Sequence, residues 1–207
     1  MKDHSKPSIP AKSNARKPAE ANRVRIIGGE WRSRVIDFPA EEGLRPTANR
    51  VRETLFNWLG QTLHEQRCLD LFAGSGALGF EAASRGAAEV VMIENNRAAM
   101  QALKKNQEKL AARQCRLVQG EAQDFLKRSR DRFDIIFVDP PFGSELMAPL
   151  LAQLSSHLSA DGHVYAEWGH ALDDTLLVTP QARWQLVKQG KAGAVHFGLL
   201  SIARDAR

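Results

Sequence analysis

Cysteine is scarce in this 207-residue chain: there are two, Cys68 and Cys115, both inside apolar, strand-like runs. Two such thiols provide neither a disulfide framework nor a zinc site. The six histidines are scattered without metal-ligand spacing, so no metal is expected. No run reaches the roughly eighteen uninterrupted apolar residues that a membrane span needs. The first residues lack the apolar core of a secretory signal peptide, so the cytoplasm is the expected compartment and no membrane partner is expected. No segment repeats another. What is present is ordinary globular composition, 43% apolar and 26% charged. The length suits one core domain with extensions.

Positive charge is in excess, and in one place. The net charge is +5. Residues 1–25 carry Lys2, Lys6, Lys12, Arg16, Lys17, Arg23 and Arg25 against Asp3 and Glu20, which leaves 22 of each sign in residues 26–207. This opening is rich in Pro, Ser, Ala, Asn and Lys and shows no apolar period before Val24. Residues 1–22 therefore read as a disordered basic tail. Such a tail is either a solubilising terminus or a non-specific hold on phosphates.

Beyond the tail, strands and helices alternate. Val24–Gly28 and Arg34–Phe38 predict a short hairpin with Gly28-Gly29 at its turn. Arg45-Pro46-Thr47 leads into a helix near 49–64, with Thr47 or Asn49 as its N-cap. Val51, Leu55, Trp58, Leu59 and Leu63 fall on one face of it, and Arg50, Glu53 and Asn57 on others. Strand-like runs follow at 67–72, 89–94, 115–118, 133–138 and 162–167, separated by helical stretches near 77–85, 96–112, 121–129 and 145–157. That rhythm predicts right-handed βαβ units and an open parallel sheet covered on both faces. Arg183–Lys188 and Ala194–Ile202, joined by a Gly- and Lys-containing loop, predict an antiparallel hairpin at the end. Residues 23–48 form a front segment of hairpin and loop, and 49–207 the main α/β domain.

The first chemical motif is Asp70-Leu-Phe-Ala-Gly74-Ser-Gly76-Ala-Leu-Gly79, which follows a strand and opens a helix. Glycine permits the sharp turn and a close backbone approach to a ligand. Glu94 ends the next strand, where an acid accepts from ribose hydroxyls. A nicotinamide site shows this spacing too. Asp70 weighs against one, because a carboxylate there is unwelcome beside a pyrophosphate but suits a ligand with a cationic amine and sulfonium. After the third strand, Gln119-Gly120-Glu121-Ala122 puts an acid and a backbone N–H where an adenine ring would lie. A plain helix start, with an acid favoured by the helix dipole, fits those four residues equally.

The most telling segment is Phe133-Asp-Ile-Ile-Phe-Val-Asp139-Pro140-Pro141-Phe142, a buried strand ending in Asp-Pro-Pro-Phe. Consecutive prolines stiffen the backbone and leave carbonyls free to accept. An exocyclic amine on a base is a poor nucleophile because its lone pair is delocalised into the ring. The Asp139 carboxylate and the Pro140 carbonyl can hold its two hydrogens, turning the lone pair toward an electrophilic methyl group and stabilising the charge that develops. Phe142 offers a face on which a flipped base stacks. A strand-terminating proline loop with a core phenylalanine is the bland alternative.

Asp70–Gly79, Glu94, Glu121-Ala122 and Asp139–Phe142 resemble, in order and spacing, the motifs of Rossmann-like class I amino-methyltransferases. The front of the chain narrows the likeness. Arg25-Ile-Ile-Gly-Gly-Glu-Trp-Arg-Ser-Arg34, then Gly43-Leu-Arg-Pro-Thr-Ala-Asn-Arg-Val-Arg-Glu-Thr-Leu-Phe-Asn-Trp58, resembles the bacterial 16S rRNA guanine-N2 methyltransferase family, which modifies the guanine at position 966. The likeness spans roughly residues 23–205. It implies an α/β fold with a seven-stranded, mostly parallel sheet, an antiparallel C-terminal hairpin and a short N-terminal β-hairpin that helps hold RNA. It implies S-adenosylmethionine as cofactor, with Asp70, Phe72, Gly74 and Gly76 around its methionine part, Glu94 at its ribose and Glu121-Ala122 at its adenine. Position 121 is Glu where Asp is frequent. Asp139, Pro140 and Phe142 would hold the target guanine. The implied partner is 16S rRNA within a small-subunit particle, with no obligate protein partner.

Guanine also fits the local chemistry, since its Watson–Crick edge shows two adjacent donors, N1–H and the N2 amine, to one carboxylate. Asp-Pro-Pro motifs serve adenine-N6 methylases too, so that alternative stays open. An adenine-N6 enzyme on DNA would need a segment to read base edges, and only about 20 residues of hairpin and loop are free for that. Carbon-5 pyrimidine methylation requires a thiolate, and both cysteines lie at the wrong places. A nicotinamide oxidoreductase leaves Asp139–Phe142 without a role, and a non-catalytic RNA-binding module gives no reason for a cofactor pocket. Arg32, Arg34, Arg45, Arg50 and Arg52 crowd the front. They either grip RNA phosphates or pair with Glu30, Glu41, Glu42 and Glu53 as solvated surface.

Overall fold

The computed structural model describes residues 22–40, 47–140, 147–169 and 177–203. A hairpin of β1 (Asn22–Arg25) and β2 (Val35–Phe38) precedes helix α1 (Asn49–Leu59). Then come β3 (Arg67–Asp70), α2 (Ala77–Ser84), β4 (Glu89–Glu94), α3 (Arg97–Leu110), β5 (Cys115–Gln119), α4 (Ala122–Arg128) and β6 (Phe133–Val138). Helix α5 (Met147–Leu154) runs through a 3₁₀ turn into β7 (Leu158–Trp168), and β8 (Trp184–Ala192) and β9 (Val195–Ile202) follow.

Seven strands form one sheet in the order β5-β4-β3-β6-β7-β9-β8. The pairs from β5 to β7 are parallel, and β9 runs antiparallel to both β7 and β8. This is the mostly parallel sheet with an antiparallel C-terminal hairpin that the sequence predicts. The chain winds outward from β3 to β5, then returns to place β6 beside β3. The crevice at the carboxyl ends of β3 and β6 is therefore the topological switch point, where ligands bind in open α/β sheets.

Alternation along the strands builds two cores. In β4, Val90 and Met92 join one cluster while Val91 and Ile93 join the other, as a period of two requires. The first cluster lies under α2 and α3 and also takes in Leu55 and Phe56 of α1. It includes Val24, Ile26, Trp31, Ile36 and Phe38, so the N-terminal hairpin shares the main core. The second cluster packs α4 and α5 against the opposite face.

The front of the chain departs from expectation in three ways. The hairpin turn lies at residues 29–34, where Arg32 N–H donates to Gly29 O (3.2 Å) and Arg34 N–H to Trp31 O (2.9 Å). Gly28 and Gly29 instead dock on the end of α2. A Cβ on Gly29, which has φ +75°, would lie 1.9 Å from Ser84 O. Helix α1 stops at Leu59 before Gly60 (φ 101°), so Leu63 packs from the following loop; its N-cap is Ala48, without a side-chain cap. Thr47 and Asn49 have other partners: Asp139 for Thr47, and Arg52 for Asn49. Finally, Arg52 is 0% exposed and is no surface arginine.

Its partner is Glu81 of α2, also 0% exposed, at 3.3 Å. The Glu81 carboxylate further accepts from the backbone N–H groups of Ile27 and Gly28 (both 2.8 Å) and from Arg85 Nε (2.9 Å). Ser84 Oγ accepts from Trp31 N–H (2.9 Å) and donates to Gly28 O (2.6 Å). A buried carboxylate with four donors is satisfied, whereas removing one member of such a network strands the others. Glu81 thereby ties the hairpin and α1 to α2.

Candidate active site

Four acids stand at the carboxyl ends of neighbouring strands: Glu94 on β4, Asp70 on β3, Asp139 just past β6 and Glu167 on β7. Asp70 is 2% exposed, and its Oδ2 accepts from Gly79 N–H (3.0 Å), bending the chain back from β3 into α2. Between them, Gly74 (φ 50°) and Gly76 (φ 79°) are left-handed. A Cβ on Gly76 would strike Leu103 and Phe80, so that glycine serves packing. A Cβ on Gly74 would meet nothing nearer than Phe72 O at 3.8 Å, which leaves its backbone open to a ligand. Phe72 itself is half-buried against the α4 and α5 side.

Glu94, 8% exposed, receives N–H bonds from Gly74 and Asn96, each 2.7 Å. It thus shapes the glycine turn as well as facing the crevice. Asn96 caps α3 through Ala98 and Ala99 N–H. Beyond β5, Gly120 N–H donates to Glu94 O (3.0 Å), and a Cβ on Gly120 would meet nothing within 4 Å. Glu121 is exposed and accepts from Asn95 Nδ2 (3.0 Å), while Ala122 is buried at the start of α4. Gly74, Glu94, Gly120, Glu121 and Ala122 therefore form one continuous rim.

Asp139 and Pro140 are half-buried at the end of β6, next to this rim. Asp139 Oδ2 accepts from the Thr47 hydroxyl at 3.1 Å. Burial, partly offset by that bond, pushes the Asp139 carboxyl up to about 6. Asp70 is pushed up to about 7, by burial first and then by the charge of Asp139. Glu167, 7% exposed, is pushed up to about 8 by burial and then by Asp139. Among the described residues no lysine or arginine lies within ion-pairing distance of Asp70, Glu94, Asp139 or Glu167. A crevice of unneutralised carboxyls favours a cationic ligand and repels a pyrophosphate. The residues present thus fit a sulfonium and ammonium cofactor with a ribose and an adenine. Burial also pushes the Cys115 thiol up to about 12 and that of Cys68 higher still, so neither supplies a thiolate.

The structure brings Asp70, Gly74, Gly76, Glu94, Glu121, Ala122, Asp139 and Pro140 to one end of the sheet, with Phe72 alongside. Arg32, Arg34 and Arg50 are exposed, and Arg34 donates to the Lys109 carbonyl at the end of α3. No described acid pairs with these three; Glu30 and Glu53 form no ion pair with them. Phe142, Arg45 and the tail through residue 21 lie outside the described residues. Sequence reasoning missed Thr47 as a partner of Asp139, and it missed Glu167. Nothing local to Glu167 in the sequence marks it, and its burial emerges only from the fold.

A family model described as conserved hypothetical protein 95 matches residues 24–201. The chain is 42% identical over 181 residues to ribosomal RNA small subunit methyltransferase D of Escherichia coli K12, covering 86% of this chain and 90% of that one. The protein of the same name from Haemophilus influenzae is 40% identical over 188 residues, covering 88% and 95%. The solved structure of yhhF from Escherichia coli agrees with a TM-score of 0.75 at 42% identity, covering 86% of this chain and 97% of that one. A chain complexed with SAH, 16% identical with a TM-score of 0.67, covers 80% of this chain and 53% of its own and shares the fold. With its own fold built around the same sheet, the chain belongs to the ribosomal RNA small subunit methyltransferase D family.

Proposed function

We propose that this enzyme transfers the methyl group of S-adenosylmethionine to the exocyclic N2 amine of a guanine in the 16S RNA of the small ribosomal subunit. The observation that carries the reading is the placement of Asp139, oriented by Thr47, at the switch point beside Asp70 and the open Gly74 backbone. The names of the relatives support small-subunit ribosomal RNA as the substrate class.

When bound, the cofactor supplies an electrophilic methyl group on a sulfonium. Asp70 and the turn at Gly74 would take its methionine part, Glu94 its ribose hydroxyls, and Glu121 and Ala122 its adenine. Asp139, ionised at neutral pH, accepts from guanine N1–H and one hydrogen of the N2 amine. The Pro140 carbonyl accepts the other hydrogen. Held at both hydrogens, the amine presents its lone pair along the methyl-transfer direction, and positive charge growing on nitrogen meets an anion already in place. The phenyl ring of Phe142 would carry the base. Arg32, Arg34, Arg45 and Arg50 would hold the flanking phosphates.

The test is direct. Small subunits and their stripped RNA, from a strain lacking the gene, are incubated with purified protein and tritium-methyl S-adenosylmethionine, and the nucleosides are identified by mass spectrometry. Label in N2-methylguanosine is the expected result. Label in N6-methyladenosine instead would overturn the guanine assignment, and no label in any RNA would overturn the substrate class.

A further inference from the structure

The cofactor residues stand at the ends of β3, β4 and β5, and Asp139 just past β6. Beyond β7 the sheet continues into β9 and β8, which the proposed reaction leaves without a role. Register fixes where that hairpin ends. Trp168, at the carboxyl end of β7, pairs with His196 of β9, and His196 pairs with Lys191 of β8. Ala192 and Val195 pair one step further on, and Gly193 (φ 61°) and Ala194 close the turn. A glycine first in a two-residue loop matches the twist of a tight hairpin. At about 3.3 Å per residue, the turn stands about 7 Å past Trp168. With strands about 4.8 Å apart, Lys191 lies about 14 Å along the sheet from the strand that leads to Asp139.

The charge of this hairpin is one-sided. Residues 175–204 contain no Asp or Glu, although the chain holds 24 acids, and they include Arg183, Lys188, Lys191 and Arg204. Lys188 and Lys191 are exposed, and among the described residues no acid pairs with either. The tip is small, and a Cβ on Gly193 would meet nothing within 4 Å, so its backbone is open to close approach. As the edge strand, β8 also uses lysines to block unwanted strand pairing. Glutamates would block an edge equally, and edge protection does not call for lysine at the crevice end. The crevice does. Its acids repel the phosphates that a target base brings with it. Arg32 and Arg34 stand away from it, since their turn docks at the far end of α2, where Glu30 N–H donates to Ser84 O (2.7 Å).

We propose, on the reading of small-subunit RNA as substrate, that the tip of the β8–β9 hairpin is a second hold on that RNA. Lys191, with the His196 ring N–H beside it and Lys188 on its flank, binds backbone phosphates next to the target nucleotide. The crevice is thereby divided by charge. Carboxyls from β3 to β7 receive the cationic cofactor and the amine, and cations on β8 and β9 anchor the polyanion that delivers the amine.

Two measurements on the full-length protein test this. In the first, binding of stripped small-subunit RNA is followed against salt. Lys188→Ala with Lys191→Ala should flatten the slope of log affinity against log salt by about one to two units. The RNA KM should rise about tenfold at physiological salt, by more than kcat falls, with cofactor affinity unchanged. Lys191→Glu keeps a charge on the sheet edge but reverses its sign, and should raise the RNA KM further than Lys191→Ala. An unchanged slope in the double variant, or equal KM in Lys191→Glu and the parent, would leave edge protection as the whole role and overturn the proposal. No binding of RNA by the parent would instead remove the RNA reading, and the second hold with it. The second measurement places the tip. Cys68 and Cys115 are buried, so Ala194→Cys offers an exposed thiol for an iron chelate that cuts nearby RNA backbone. Cuts should cluster within a few nucleotides of the methylated one. A chelate-bearing protein that binds and methylates RNA, yet cuts it nowhere or only far from that nucleotide, would overturn the proposal.

Discussion

Among the described residues Asp139 is held by one hydroxyl and by no cation, an arrangement suited to an acceptor that must stay both charged and available. A lysine or arginine partner would have fixed the charge at the cost of the lone pairs. Replacing it by alanine removes the acceptor without touching the glycine turn or Glu94. Asp139→Ala should therefore lower kcat by about a hundredfold or more while leaving S-adenosylmethionine affinity within a few-fold of the parent. Calorimetry showing affinity lost in step with activity would move Asp139 to the cofactor. The same residue sets an acid limit. Its carboxyl is pushed up to about 6, so as pH falls through that value it takes a proton and its outer oxygen no longer accepts from the amine. Turnover in the parent should decline on that side.

At the level of elements, the hairpin of β1 and β2 has one face in the core and the other in solvent. Arg32 lies in the turn and Arg34 just before β2, both exposed and neither paired with a described acid. The double change Arg32→Ala with Arg34→Ala should raise the RNA KM and flatten the slope of log affinity against log salt by about one to two units. Cofactor affinity and melting temperature should scarcely change; an unaltered salt slope would make these arginines ordinary surface. Their companion Arg52 shows where sequence reading stops. Five arginines in a short stretch looked alike, yet Arg52 is consumed by Glu81, and nothing local to either residue announces a pairing across 29 positions. The same holds for Thr47, whose hydroxyl looked like a helix cap but is claimed by Asp139, 92 residues on. By contrast, β4 and β6 and the turn from Asp70 to Gly79 were legible, because buried parallel strands are continuous apolar runs and a glycine turn between strand and helix is written in adjacent residues. Glu167 carried no such signature: a single acid closing a strand looks like a residue facing water.

Across the whole molecule, the crevice costs the empty protein stability. Asp70 has its carboxyl pushed up from 3.8 to about 7. A group raised in this way contributes stability that is complete below its unfolded pKa and lost as pH rises through its folded one. Asp70→Asn keeps an oxygen for Gly79 N–H and cannot ionise. It should melt on the order of 5 °C above the parent near pH 8 and level with it at about pH 4. Equal melting at both pH values would show that Asp70 pays no penalty for being charged. The stability withheld there is what a cationic ligand can return on binding, so the cofactor should stabilise the parent more at the higher pH. One helix links this crevice to the front of the chain. The first residues of α2 continue the turn from Gly74 and Gly76, and its last, Ser84, with Arg85, carries Gly28 and Gly29. All eight of its residues are buried, so it can neither slide nor tilt without opening the core. At about 1.5 Å per residue it is a ruler of about 12 Å, and one added residue would swing Glu81 by about 100° away from Ile27 and Gly28. The span between whatever the hairpin grips and the glycine turn is thus metered in residues, and a chain of this fold cannot retune it a fraction at a time.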